Sequence, residues 1–245
     1  MITTNKIRIG SFSSSENYRL VGTSKVFNTY LIEKIDEREL GRSLDSEQSA
    51  QALAWGKCME AYAHIRVNGD FEYQMIGDIT EAHPNYPFWV GSVDVLKHDT
   101  AGDIKCPFSI KSYMGLTRPS RLGLDGMEAM NALRNGFKHN DITYEKHKDA
   151  EKYYWQIVSN ACIHGKNFGE LIIYMPFEDD LEKIKEDLDI DNDYYFIYIN
   201  PIEKLPHLKR EGSVNDLYVV RFEIPQQDKD LLESKVKQAG ELLLK

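Results

Sequence analysis

Long apolar runs, clustered cysteines and an excess of positive charge are all missing from this chain. No stretch approaches the roughly 18 consecutive apolar residues that a membrane span needs, so no membrane span is expected. The first residues, Met1-Ile2-Thr3-Thr4-Asn5-Lys6, lack the apolar core of a secretory leader. The three cysteines, Cys58, Cys106 and Cys162, lie far apart and form no CxxC. An odd, dispersed count argues against a disulfide framework and for reduced thiols in a cytoplasmic protein. The seven histidines make neither HxxxH nor HExxH, so zinc is not expected. With a net charge of −9, the chain is no general DNA-coating protein, because such binding is carried by cations. That balance does not exclude an enzyme whose basic residues only line a channel. Part of the acidity sits in residues 178–193, read as a solvated face and loop. No internal repeat or low-complexity linker is visible, and 245 residues suffice for one domain with a real core.

What is present is most informative at Gly91-Ser92-Val93-Asp94 and Asp103-Ile104-Lys105-Cys106-Pro107. Residues 90–96 read as one strand and 103–106 as the next, with turn chemistry in 97–102 between them. Side chains alternate along a strand, so Asp103 and Lys105 share a face, and Asp94 on the partner strand can join them. Two acids and a lysine suit metal-assisted attack of water on a phosphodiester. The acids would hold a hard cation through oxygen, and the lysine would steady the water or the charge on phosphorus. An ordinary ion pair on a hairpin uses the same residue types, and the hairpin alone leaves both readings open.

Three further segments bear on the choice. Residues 50–64 form a proline-free helix in which Ala54, Cys58, Ala61 and Ile65 recur at helical spacing. Glu60 lies off that stripe, and Gly56 one turn earlier leaves room above its carboxylate. In 152–161, Tyr153, Gln156 and Asn160 fall on one helix face, while Tyr154, Ile157, Val158 and Ala161 supply an apolar side. Near the N-terminus, Arg8 precedes Ser13-Ser14-Ser15-Glu16, which has the look of a helix start. An arginine beside such a start can receive a phosphate. Each segment alone also has a purely structural explanation.

Together, in this order, the four segments resemble the phage λ-exonuclease-like (YqaJ-type viral recombinase) branch of the PD-(D/E)XK nuclease superfamily. The sharpest matches are Ala52-Leu53-Ala54-Trp55-Gly56-Lys57 with Glu60, and Ile104-Lys105-Cys106-Pro107-Phe108. The family's usual Pro-Asp is Val93-Asp94 here, which removes a backbone constraint but no ligand. The resemblance implies metal ligands at Asp94, Asp103, Glu60 and the Ile104 carbonyl, with Lys105 as the catalytic lysine. It implies a catalytic role for Gln156, with Tyr153 in support, and a 5′-phosphate pocket at Arg8 and Ser15. It also implies Mg²⁺, with Mn²⁺ able to substitute, and 5′→3′ digestion of double-stranded DNA ends. A ring-shaped homotrimer, a single-strand annealing recombinase as partner, and a phage or prophage gene expressed in bacterial cytoplasm complete that picture. The alternatives are a related nuclease of other polarity, or a DNA-end-binding module without catalysis. His83, ahead of the hairpin, is either near the metal site or an ordinary loop histidine.

The expected fold is α/β: a restriction-endonuclease-like core with a central mixed β-sheet flanked by helices, in one domain over 1–245. A loop-rich, partly helical insert is expected at about 109–150. It carries Arg118, Arg121, Arg134 and Lys138, whose role the resemblance leaves undefined. Strands are expected at 171–175, 194–199 and 217–224, and a helix from about 226.

Overall fold

The structure, a computed structural model, describes residues 7–44, 50–68, 74–75, 79–188 and 194–244. Residues 189–193 of the acidic stretch 178–193 lie outside the described residues. A five-stranded sheet forms the centre. Its strands are β2 (Gln74–Met75), β5 (Val95–Lys97), β6 (Thr100–Lys105), β9 (Phe168–Tyr174) and β10 (Leu217–Glu223), in the order β10-β9-β6-β5-β2. β6 and β9 run parallel and the other neighbours antiparallel, which makes the sheet mixed, as expected.

β9 shows why the sheet is covered on both faces. Its sequence is almost continuously apolar, the pattern of a strand buried on two sides. Leu171 and Ile173 join one core, whereas Ile172 and Tyr174 join the other. The first core is built against α5 (Ala150–His164) and α8 (Gln226–Leu243), through Ile157, Val158, Ala161, Leu232 and Val236. The second is built against α2 (Ala50–Val67) and α6 (Glu178–Asp187), through Trp55, Met59, Leu181 and Ile184. Each fully buried aliphatic side chain contributes about 1.5–3 kcal/mol. Gly169 lets α5 approach the sheet: a Cβ there would stand 2.4 Å from Ile157 Cγ2.

The segment expected as a loop-rich insert is largely ordered structure. It holds α3 (Ile110–Arg121), α4 (Gly126–Asn135) and a hairpin of β7 (Phe137–His139) and β8 (Ile142–Tyr144). Ser109 caps α3 through its hydroxyl, which accepts from Ser112 N at 3.4 Å. The hairpin turns at Asn140 and Asp141, both at positive φ, which these two residue types tolerate. Tyr113, Leu116, Met130 and Leu133 make the segment part of the first core. Its arginines are largely engaged: Arg134 pairs with Glu151, and Arg121 donates to Met114 O and Thr117.

Three local expectations are corrected. Residues 90–96 are not one strand. β4 (Tyr86–Gly91) belongs to a second sheet, β1-β4-β3, with β1 (Phe12–Ser13) and β3 (Glu81–His83), and the chain bends at 92–94 before β5. Gly91 fixes the bend, because a Cβ there would meet Asn160 Oδ1 and Ser14 Oγ at 2.3 Å each. Residues 195–199 form the short helix α7 (Tyr195–Ile199) rather than a strand. Ile197 is buried in the second core, and the Asn200 amide donates to Phe196 O at 2.6 Å. This packing overrides the strand preference of aromatic and β-branched residues. On α2 the buried stripe is Ala54, Trp55, Cys58, Met59 and Ala63, while Ala61 and Ile65 are exposed.

Candidate active site

The end of β6 lies where both helical layers reach the sheet. Asp103 and Lys105 project to the α5 side, as their alternation requires. Asp103 is buried, with Oδ2 2.6 Å from Lys105 Nζ and Oδ1 accepting from Gln156 Nε2 at 2.7 Å. Oδ2 takes part in that ion pair without accepting a hydrogen bond of regular geometry. Lys105 Nζ also lies 3.4 Å from Gln156 Oε1 and 5.0 Å from the centre of the Tyr153 ring. Gln156 therefore bridges the acid and the lysine with its two amide atoms. Burial works against the Lys105 charge, but Asp103 and Asp94 outweigh it and raise the pKa. The ammonium stays charged throughout the physiological range. Burial pushes the Tyr153 hydroxyl up to about 12, so it stays protonated.

Asp94 enters from the bend after β4. Its Oδ2 accepts from Ile104 N at 2.6 Å, which ties the bend to the end of β6. Burial, then the negative charges of Asp103 and Glu60, push its carboxyl well above the usual range. Glu60 comes from α2, on the opposite face of the sheet, with Oε1 3.8 Å from His64 Nε2. The structure thus brings Asp94, Asp103, Lys105, Gln156 and Tyr153 into one cluster, with Glu60 close enough to act on Asp94.

Among the described residues, no three His, Cys, Asp or Glu side chains stand close enough to hold a metal ion as they are arranged. Asp94 is turned onto the Ile104 N–H, and Asp103 onto Lys105 and Gln156. The donor chemistry nevertheless fits a hard divalent cation. Three carboxylates and a backbone carbonyl offer only oxygen, and the repulsion felt by Asp94 is of the kind a cation relieves.

Arg8 reaches the same bend. Its guanidinium donates to Thr80 Oγ1 at 2.9 Å and to Ser92 Oγ at 2.6 Å, and Ser92 is two residues from Asp94. Asn160 Nδ2 holds the Ser92 carbonyl at 3.1 Å. Sequence reasoning missed Thr80 and Ser92; only the placement of Ser92 in the Gly91–Asp94 run could have pointed to the latter. Ser15 does not share a hydrogen bond with Arg8. It sits in a 3-10 helix (Ser14–Arg19), in place of the expected helix start, with its hydroxyl 3.3 Å from Ser13 Oγ. His83 stacks on Trp89, with ring centres 4.7 Å apart, and its Nδ1 accepts from Asn85 N. The three cysteines are free, and burial raises the pKa of each thiol.

No family model matches the chain, and neither does any curated protein. Solved structures do. The alkaline exonuclease LHK-Exo from Laribacter hongkongensis aligns over 99% of this chain and 92% of its own, with TM-score 0.61 at 16% identity. LHK-Exo in complex with dAMP also gives 0.61, at 15% identity. A phage-related exonuclease from Haemophilus somnus 129PT gives 0.54 at 12% identity, over 95% of this chain and 93% of that one. At such identities the likeness is one of fold. It agrees with the fold that the sequence resemblance implied: the chain is an α/β protein with a central mixed sheet flanked by helices, a fold it shares with these exonucleases.

Proposed function

We propose that this protein is a Mg²⁺-dependent exonuclease that digests double-stranded DNA ends in the 5′→3′ direction, exposing single strands for phage-type recombination. The observation that carries the reading is the Asp103–Lys105–Gln156 cluster, buried at the end of β6 beside Asp94. A structural ion pair does not need two more acids within electrostatic reach and a glutamine bridging its partners. The fold shared with two exonucleases adds support.

Asp94, Asp103, Glu60 and the Ile104 carbonyl would hold the Mg²⁺, and Mn²⁺ has ligand preferences close enough to replace it. The bound ion supplies a Lewis acid and a water of lowered pKa. Lys105 keeps its proton and offers positive charge where negative charge builds on the phosphoryl oxygens. Gln156 holds Asp103 and Lys105 in register. Tyr153 limits where the ammonium can move. Arg8, with the Ser92 and Thr80 hydroxyls, would offer a planar donor fork to a terminal phosphate, to which Ser15 would contribute a hydroxyl. A homotrimeric ring, partnership with a single-strand annealing recombinase, and action in the bacterial cytoplasm on behalf of a phage or prophage belong to the same proposal. Among the described residues, no helix is long and apolar enough to cross a membrane.

The test is digestion of a linear duplex labelled separately at each 5′ and 3′ end, with Mg²⁺ and with EDTA. Release of the 5′ label first, only with metal, is expected. Degradation unaffected by EDTA would sink the metal mechanism, and 3′ release first would reverse the polarity. Sedimentation of a fully active monomer at micromolar concentration would remove the ring.

A further inference from the structure

Phe108 stands three residues beyond Lys105 and is 37% exposed. Two other rings hold it. Trp55, itself only 1% exposed, leans on it with centres 5.7 Å apart and planes at 53°. Phe196 of α7 meets it edge-on at 6.0 Å and 83°. Among the described residues, no ring lies parallel on Phe108. The ring is therefore braced from behind and from the side, and keeps an aromatic face with no ring stacked on it. Pro107 shortens the range of backbone motion before it.

Its position gives that face a use. Three residues of chain span at most about 10 Å between α-carbons, which keeps Phe108 beside the strand end that carries Lys105. Trp55 belongs to the same helix as Glu60, five residues earlier. The aromatic group is thus framed by the strand that carries Lys105 and the helix that carries Glu60. Every phosphate of a DNA strand has a planar base beside it, and aromatic faces bind bases by stacking without regard to sequence.

We propose that Phe108 is a stacking platform for a nucleobase of the DNA strand engaged at Lys105, with Trp55 and Phe196 as its supports. The proposal rests on the nuclease reading and adds a base-binding site to it. The platform makes affinity depend on a base at one position near the end. It is indifferent to which base stands there.

The experiment is a cycle of binding measurements by fluorescence anisotropy, with Ca²⁺ in place of Mg²⁺. The probes are short DNA ends carrying a single abasic residue at each of the terminal positions in turn. Wild-type protein should bind the intact end about 5- to 150-fold more tightly than the end that is abasic at one particular position, the range measured for one base–aromatic stack. Phe108→Leu keeps an apolar side chain against Trp55 and should preserve the thermal transition. It should nevertheless erase most of the difference between intact and abasic ends. Phe108→Tyr should restore it. An undiminished difference in Phe108→Leu would overturn the platform while leaving the nuclease reading in place. A wild-type protein with no affinity for DNA ends would overturn both.

Discussion

Two buried carboxylate clusters in this molecule carry opposite electrostatic signatures. Glu37, on α1 (Ser24–Leu40), is 1% exposed and saturated with donors. Lys34 Nζ reaches both its oxygens at 2.9 Å, Gly10 N donates at 2.9 Å and Leu44 N at 3.2 Å. Burial alone would raise its pKa, but Lys34 and the two backbone N–H groups outweigh burial and hold it below the usual glutamate range. Around Asp94 the balance is reversed. Burial and two neighbouring acids raise the carboxyl, and Lys105 and the Ile104 N–H offset only part of that. A buried acid with a purely structural task is given enough donors to stay charged comfortably. A cluster with more negative charge than its partners compensate is what the proposed cation site calls for.

The largest effect should come from breaking the saturated cluster. Glu37→Ala leaves the Lys34 ammonium buried without its counter-ion, a defect that costs about 3–5 kcal/mol. Chemical denaturation at neutral pH should show a loss of that size. The Glu37 carboxyl is depressed in the folded state, so its contribution is complete above the unfolded-state pKa of about 4.3. It should disappear as pH falls below that value and through the folded one. A variant as stable as wild type at pH 7 would show that the pair is not the anchor the geometry makes it.

This cluster also marks a limit of what the sequence discloses. Lys34 and Glu37 stand at i and i+3 on a helix, a spacing typical of exposed pairs worth a few tenths of a kcal/mol. Nothing local reveals that the arm around Gly10 folds over them. The shared face of Asp103 and Lys105 was legible because strand alternation is local, but the hairpin's bounds were not: the second strand begins at Thr100, inside the stretch 97–102 read as the turn. The α5 face with Tyr153 and Gln156 was legible by the same logic at period 3.6. The bend at 92–94 was not, because it depends on Ser14 and Asn160 crowding Gly91 from distant segments. For the same reason 195–199 reads as a strand: its helical form depends on burial of Ile197 and on the Asn200 amide. The Arg8 contacts with Thr80 and Ser92 join positions more than 70 residues apart, beyond any spacing argument.

The second comparison point is the undersatisfied cluster. Lys105→Ala should cost some stability, because the buried Asp103 keeps only the Gln156 amide as partner. It should also slow cleavage of bound duplex by about 10²-fold or more, the usual loss for an electrostatic stabiliser of a transition state. Single-turnover kinetics on a saturating duplex would measure it, and a rate near that of wild type would remove the central role given to Lys105. Asp94→Asn should weaken Mg²⁺ binding on the order of a hundredfold, the upper end of what even outer-shell partners cost. Titration calorimetry with Mg²⁺ reads this without turnover. The same substitution should not destabilise the fold as Glu37→Ala does, because it lowers repulsion among acids instead of orphaning a cation. Equal destabilisation by the two variants would erase the contrast between the clusters.

The smallest effect joins the two regions, because the Glu37 cluster holds the arm that carries Arg8. Arg38 Nε donates to Gly10 O at 2.9 Å while Glu37 accepts from Gly10 N, so both polar groups of that residue are fixed to α1. Two residues earlier, Arg8 extends to Thr80 and Ser92 beside Asp94. If this fork receives a terminal phosphate, duplexes with 5′-phosphate ends should be digested faster than those with 5′-hydroxyl ends. A charge-assisted hydrogen bond contributes about 1.5–3 kcal/mol. The Thr80 and Ser92 hydroxyls remain when the arginine is removed, so the lower end of that range applies, about a tenfold preference. Arg8→Ala should abolish most of the preference and leave Mg²⁺ affinity as it was. Initial rates on the two kinds of end, measured for both proteins, decide the matter. Equal rates on both ends in the wild type would reduce Arg8 to a brace for the bend at Ser92, and the 5′→3′ assignment would lose its structural support.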